Sequence, residues 1–83
     1  MYTVYAIQSQ KDGRIYVGLT ANLEQRINEH NKGRVDSTKG YRPWKLFYTE
    51  DYKTRPEARI REKQLKSGYG KEFLKARSGV AQR

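Results

Sequence analysis

The sequence has no cysteine, one histidine, one tryptophan, one methionine and two prolines in 83 residues. Without cysteine there can be no disulfide, no thiolate metal site and no cysteine nucleophile, and a lone histidine cannot build a histidine-cluster zinc site. Any bound metal must therefore rest mainly on oxygen ligands. Acidic side chains are also scarce, nine against eighteen Lys and Arg, for a formal net charge of +9. No apolar run approaches the length of a membrane span. The segment Met1 to Ile7 reads as a strand and is soon followed by the charged Lys11-Asp12-Gly13-Arg14, which is unlike a signal peptide. A soluble, intracellular (cytoplasmic) protein with no membrane partner is expected. A chain of this length holds one small domain, expected over residues 1–78 with a frayed tail at 79–83.

Ten aromatic residues, seven of them Tyr, supply large stiff side chains for a modest core. The basic excess is uneven. Residues 1–52 carry eight basic and six acidic groups, whereas 53–83 carry ten and three. A helix-compatible stretch holding Arg59, Arg61, Lys63, Lys66, Lys71, Lys75 and Arg77 would concentrate a polyanion, and nucleic acid is the commonest such partner. The plainer alternative is a solubilising surface.

Tyr2 to Ile7 and Ile15 to Leu19 are rich in β-branched and aromatic residues and flank the turn-forming Asp12-Gly13, so they read as a β-hairpin. With an even-numbered loop, Val4, Ala6, Ile15, Val17 and Leu19 share one face, and Thr3, Tyr5, Ile7, Tyr16, Gly18 and Thr20 the other. Asn22 with Gln25 fits a helix start and Gly33 a stop, which predicts a helix over 23–32. Leu23 and Ile27 anchor it, and Arg26 and His30 share a neighbouring stripe. Residues 33–43, with Lys39 and Arg42, read as a loop, and Trp44 to Thr49, containing Lys45, as a third strand. Thr54 with Glu57 and Pro56 starts a second helix over about 55–66, and a short third helix is expected over 71–77. The fold expected is α+β: a three-stranded, mostly antiparallel sheet flanked by helices, in the order β-β-α-β-α-α.

Glu62 is the informative residue of the second helix. Ala58, Glu62 and Leu65 fall on one helix face, where a carboxylate needs a cation, a hydrogen-bond cluster or cleft water. The alternatives are an ion pair with one of the arginines, or a helix turned toward Ile60 that leaves Glu62 in solvent. Tyrosines on one sheet face, Arg and His four apart on a helix and a carboxylate on another helix suit phosphodiester hydrolysis. Taken singly, each has a duller explanation: packing, a solvated charge, or an edge histidine.

The segments Thr3-Val4-Tyr5 and Tyr16-Val17-Gly18 resemble the paired motifs of the GIY-YIG nuclease superfamily, with Thr3 and Val4 in place of Gly and Ile, and Val17 in place of Ile. Arg26 to His30 resembles the family's R-x-x-x-H helix, and Glu57 to Glu62 its E-A-x-x-x-E segment. Thr38 to Trp44 is similar to the loop before the third strand of short bacterial single-domain members. The resemblance covers about residues 2–75. It implies a metal-dependent DNA endonuclease that uses one divalent cation, Mg²⁺ or Mn²⁺, and in-line attack of water. Carried over by position, Tyr5 and Tyr16 become the active-site tyrosines, Arg26 a phosphate clamp, His30 a proton partner and Glu62 the metal ligand. A tyrosine acting as base is expected to have its pKa lowered by Arg26 and the metal.

Lys39, Arg42, Lys45, Arg61, Lys63 and Lys66 are the expected DNA contacts. An asparagine that several larger members place beyond the glutamate has no counterpart in Lys71 to Lys75. Larger relatives carry a targeting domain for which this chain has no room. A partner protein is one way to supply targeting, and the oligomeric state is left open. Service in repair, recombination or a mobile element fits this reading. The alternatives are a non-catalytic basic nucleic-acid-binding module on the same fold and a structural partner of another protein, and base stacking alone makes no demand for Glu62.

Overall fold

A computed structural model describes residues 1–78, so the expected tail at 79–83 lies outside the described residues. Its elements are β1 (Tyr2–Ser9), β2 (Ile15–Thr20), α1 (Leu23–Asn31), a 3-10 turn (Lys39–Tyr41), β3 (Trp44–Tyr52), α2 (Arg55–Lys66) and α3 (Gly68–Lys75). The sheet order is β2-β1-β3 and both pairings are antiparallel. Among the described residues no helix is long and apolar enough to cross a membrane.

The hairpin has the expected parity but a different centre. Tyr5 pairs with Gly18 and Ile7 with Tyr16, which centres the turn on Lys11-Asp12 rather than Asp12-Gly13. The two faces therefore divide as the alternation dictates. Val4, Ala6 and Val17 pack with Ala58 and Leu65 of α2 and Leu74 of α3. Tyr5, Ile7 and Trp44 form a second cluster on the opposite face, with Tyr16 and the α1 residues Leu23 and Ile27 against it.

Caps account for the helix limits. Asn22 accepts a hydrogen bond from Gln25 N, and Thr54 accepts one from Glu57 N. Gly33, at φ 80°, supplies the left-handed turn that ends α1. The third helix begins at Gly68 rather than Lys71 because the Ser67 side chain accepts from Gly70 N and caps it there. It ends at Lys75, two residues short of the expected limit.

β3 runs to Tyr52 rather than Thr49 because its polar end pairs with β1, Thr3 opposite Asp51 and Tyr2 opposite Tyr52. The acidic Glu50 is accommodated there by Tyr48, Tyr52 and Arg61. A bulge between the Ala6 and Ile7 pairings sends Phe47 and Tyr48 to the α2 side while Leu46 serves the α1 side.

Candidate active site

The site begins with a chain of buried polar groups on the α1 side of the sheet. The strand alternation points Tyr5 toward α1, and helix geometry points His30 back at it. Tyr5 Oη and His30 Nε2 lie 2.7 Å apart, and His30 Nδ1 lies 2.8 Å from Thr38 Oγ1. His30 and Thr38 have no exposed surface and Tyr5 almost none. The Thr38 hydroxyl donates to the carbonyl of Val35 at 3.3 Å. Its one proton thus used, it accepts from His30 Nδ1–H, which leaves Nε2 bare to accept from the Tyr5 hydroxyl. Trp44 Nε1 donates to Thr38 O at 2.9 Å, and the Asn31 side chain bonds both the N–H and the C=O of Trp44. The loop that carries Thr38 is thereby tied to α1 and β3.

Tyr16 contributes a second aromatic wall, its ring centroid 5.1 Å from that of His30. Gly18 has a specific reason to be glycine. A methyl group there would overlap the ring and hydroxyl of Tyr5, which crosses directly over it. The first motif makes no such demand, which is why Thr3 and Val4 are tolerated. Thr3 faces solvent and donates to Asp51 at 2.6 Å.

Arg26 lies beside the Tyr5 hydroxyl and is held by Glu29 at 2.9 Å. Burial dominates at Tyr5 and pushes its pKa up to about 12, against a smaller lowering by Arg26. Arg26 by itself therefore does not tune Tyr5 toward neutrality, because the ring sits too deep for that one cation to offset the loss of hydration. Burial likewise pushes His30 down to about 4, with Arg26 adding to the effect, so the imidazole is neutral at physiological pH. His30 is thus a core residue and not an edge one.

Glu62 approaches from α2, which packs on β1 and β2. It is buried while Ile60 is exposed, so the helix is not turned toward Ile60. The Glu62 charge is felt at Tyr5, where it opposes ionisation of the phenol. Lys66 lies 3.2 Å from one carboxylate oxygen and Arg59 3.6 Å from the other, both cations largely in solvent. Oε1 is nonetheless buried with no hydrogen-bond partner among the described residues. Among the described residues no group of three or more His, Cys, Asp and Glu could enclose a metal.

The residues expected to contact DNA differ in their partners. Arg61 binds Glu50 through Nε at 2.9 Å and Nη2 at 3.1 Å. Burial alone would raise Glu50, but Arg61, Tyr48 and Tyr52 outweigh it and hold the carboxyl at about 2. Lys39 pairs with Asp36 at 3.5 Å, and Arg42 Nε donates to the Lys39 carbonyl. Lys45, Lys63 and Lys66 are exposed. Thr38 is the residue that sequence reasoning missed. It reads as one more polar loop position, and only its packing under Trp44 reveals it.

The order and spacing of these residues match a known family model, described as the GIY-YIG catalytic domain, over residues 1–75. The chain belongs to the GIY-YIG family. This is a family of nucleases, and the match spans every segment that builds the site. A UPF0213 protein of Staphylococcus haemolyticus is 38% identical over 73 residues, 87% of this chain and 88% of the relative. One from Clostridium perfringens is 42% identical over 67 residues, 80% of this chain and 71% of its own. The solution NMR structure of a UPF0213 protein from Bacillus halodurans is 31% identical with a TM-score of 0.57, covering 96% of this chain and 88% of that one.

Proposed function

We propose that this domain is a divalent-metal-dependent endonuclease that hydrolyses phosphodiester bonds of intracellular DNA by in-line attack of water. The observation that carries the reading is the buried Tyr5–His30–Thr38 chain beside Arg26, with a carboxylate oxygen of Glu62 that accepts no hydrogen bond among the described residues in electrostatic reach. Glu62 Oε1 faces Arg59 at 3.6 Å but accepts no hydrogen bond among the described residues, whereas buried carboxylate oxygens are ordinarily hydrogen-bonded. The orphaned Oε1 fits a hard cation such as Mg²⁺ or Mn²⁺, which accepts one protein carboxylate and completes its shell with water and phosphate oxygens. When bound, such a cation would neutralise the scissile phosphate and steady the leaving oxygen.

The protein's own residues supply the rest. The Tyr5 hydroxyl, donating to His30 and accepting from Arg26, keeps one lone pair for an O–H donor and so orients a water molecule. As the water oxygen bonds to phosphorus and the bond from phosphorus to the leaving sugar oxygen breaks, the water's proton passes to Tyr5 Oη while the phenolic proton moves to His30 Nε2; the leaving oxygen takes a proton from solvent and the imidazolium returns one to it. The phenol, pushed up to about 12, and the imidazole, pushed down to about 4, are both neutral before the step, and the low imidazole value makes the imidazolium a short-lived species that gives its proton up readily. Arg26, oriented by Glu29, takes up charge on the phosphoryl oxygens. Tyr16 walls the imidazole. A module that only binds nucleic acid has no use for a relay or for the buried Glu62 oxygen.

The test is to incubate purified protein with supercoiled, linear and branched DNA, with Mg²⁺ or Mn²⁺ and with chelator. Metal-dependent cutting of at least one DNA is expected. Cutting that persists in chelator, or none of any DNA, overturns the proposal.

A further inference from the structure

A cavity of about 780 Å³ opens between the β1–β2 turn, the end of α2 and α3. It lies in the size range of small-ligand pockets. We infer that it receives an unpaired nucleotide of the DNA strand, next to the bond that is cut. The inference rests on the nuclease reading for the identity of the polymer, and two independent features define the occupant.

The walls are of two chemistries. Ile15 and Tyr16, both partly exposed, present apolar surface, while Lys66 and Lys71 supply cations. A duplex gripped by its phosphates would have no use for the apolar part, whereas an unpaired base buries its face there and leaves its phosphate to the lysines. The one acid of the lining, Asp12, is bound by Arg14 at 2.8 Å and does not oppose a phosphate.

Position is the second. β2 is an edge strand, and the lining includes both Tyr16, which faces His30, and Ile15 and Val17 on the other side of the sheet. Lys66, also in the lining, holds Glu62 at 3.2 Å. A strand whose phosphate lies at Tyr5 and Glu62 therefore reaches the cavity by rounding one sheet edge. Lys71 thus becomes a binding residue, a role the sequence left within a general basic face.

The test uses the full chain in chelator, so that binding is read without cleavage. A short single-stranded oligodeoxynucleotide and its duplex are titrated while amide resonances are followed by NMR. Single strand should bind more tightly and shift Gln8, Gly13, Ile15 and Lys71. Lys71→Glu, at an exposed position, should weaken single-strand binding about tenfold and flatten its salt slope by about 0.7, with duplex binding little changed. Shifts that miss the cavity, or equal losses for both DNAs, overturn the inference. Failure of the cleavage test with these shifts present would instead overturn the nuclease reading alone.

Discussion

The hydroxyl of Tyr5 lies 2.7 Å from His30 Nε2, and neither residue is open to solvent. With Tyr5 pushed up to about 12, only about one phenol in ten thousand is ionised at pH 8, so the ring works through its partner. Tyr5→Phe should keep the fold and slow cleavage about a hundred- to ten-thousand-fold. Single-turnover rates and circular dichroism on one preparation check this, and full activity would return the proton work to another group.

Thr38 sets the direction of the Tyr5–His30 bond. Thr38→Ser should retain activity, while Thr38→Val should slow cleavage and lose the Nδ1–H imidazole as the dominant tautomer. Nitrogen-15 NMR of the one histidine reads the tautomer directly. An unchanged tautomer in Thr38→Val would show that packing alone orients the ring.

His30 also links stability to pH. Its pKa, ordinarily near 6.5, falls to about 4 on folding, so between these values the unfolded chain binds a proton that the folded one refuses. Stability is therefore fully present above pH 6.5 and declines as pH falls toward 4, by at most about 1.4 kcal/mol per pH unit from this group. Urea unfolding of parent and His30→Gln across that window should show a shallower slope in the variant.

Gly18→Ala should cost activity more than stability. The added methyl group displaces the Tyr5 hydroxyl, and a misplaced reacting group loses about a hundredfold. Cleavage rate with melting temperature measures both, and a parent rate would show that Tyr5 can give way without losing its hydrogen bond.

Glu62→Gln keeps shape and removes charge. Because Lys66 and Arg59 are half exposed, losing them should change stability by less than about 1 kcal/mol, while cleavage should collapse and Mn²⁺ binding weaken. Calorimetric Mn²⁺ titration checks the second effect without DNA. A stable variant that cuts at the parent rate would end the proposed role of Glu62.

Much of this protein was legible in its sequence because the signals are local. Alternation alone divided the hairpin into the Val4–Ala6–Val17 face and the Tyr5–Tyr16 face, and the caps at Asn22 and Thr54 placed two helices. Helical spacing put Glu62 beside Ala58 and Leu65, and motif order named the candidate residues that the fold brings near one another. What the sequence could not decide depends on distance and burial between segments far apart in the chain. Depth in the core, not the neighbouring Arg26, sets the ionisation of Tyr5 and His30, and depth is a property of packing. Arg61 reads as one more surface cation until β3 brings Glu50 to it across eleven residues of sequence. Thr38 is an ordinary loop polar residue until Trp44 closes over it and presses its hydroxyl against His30. The sequence determined which side chains are available on each face, and the tertiary structure decided which of them lose water and touch, because hydration and contact exist only between elements already packed.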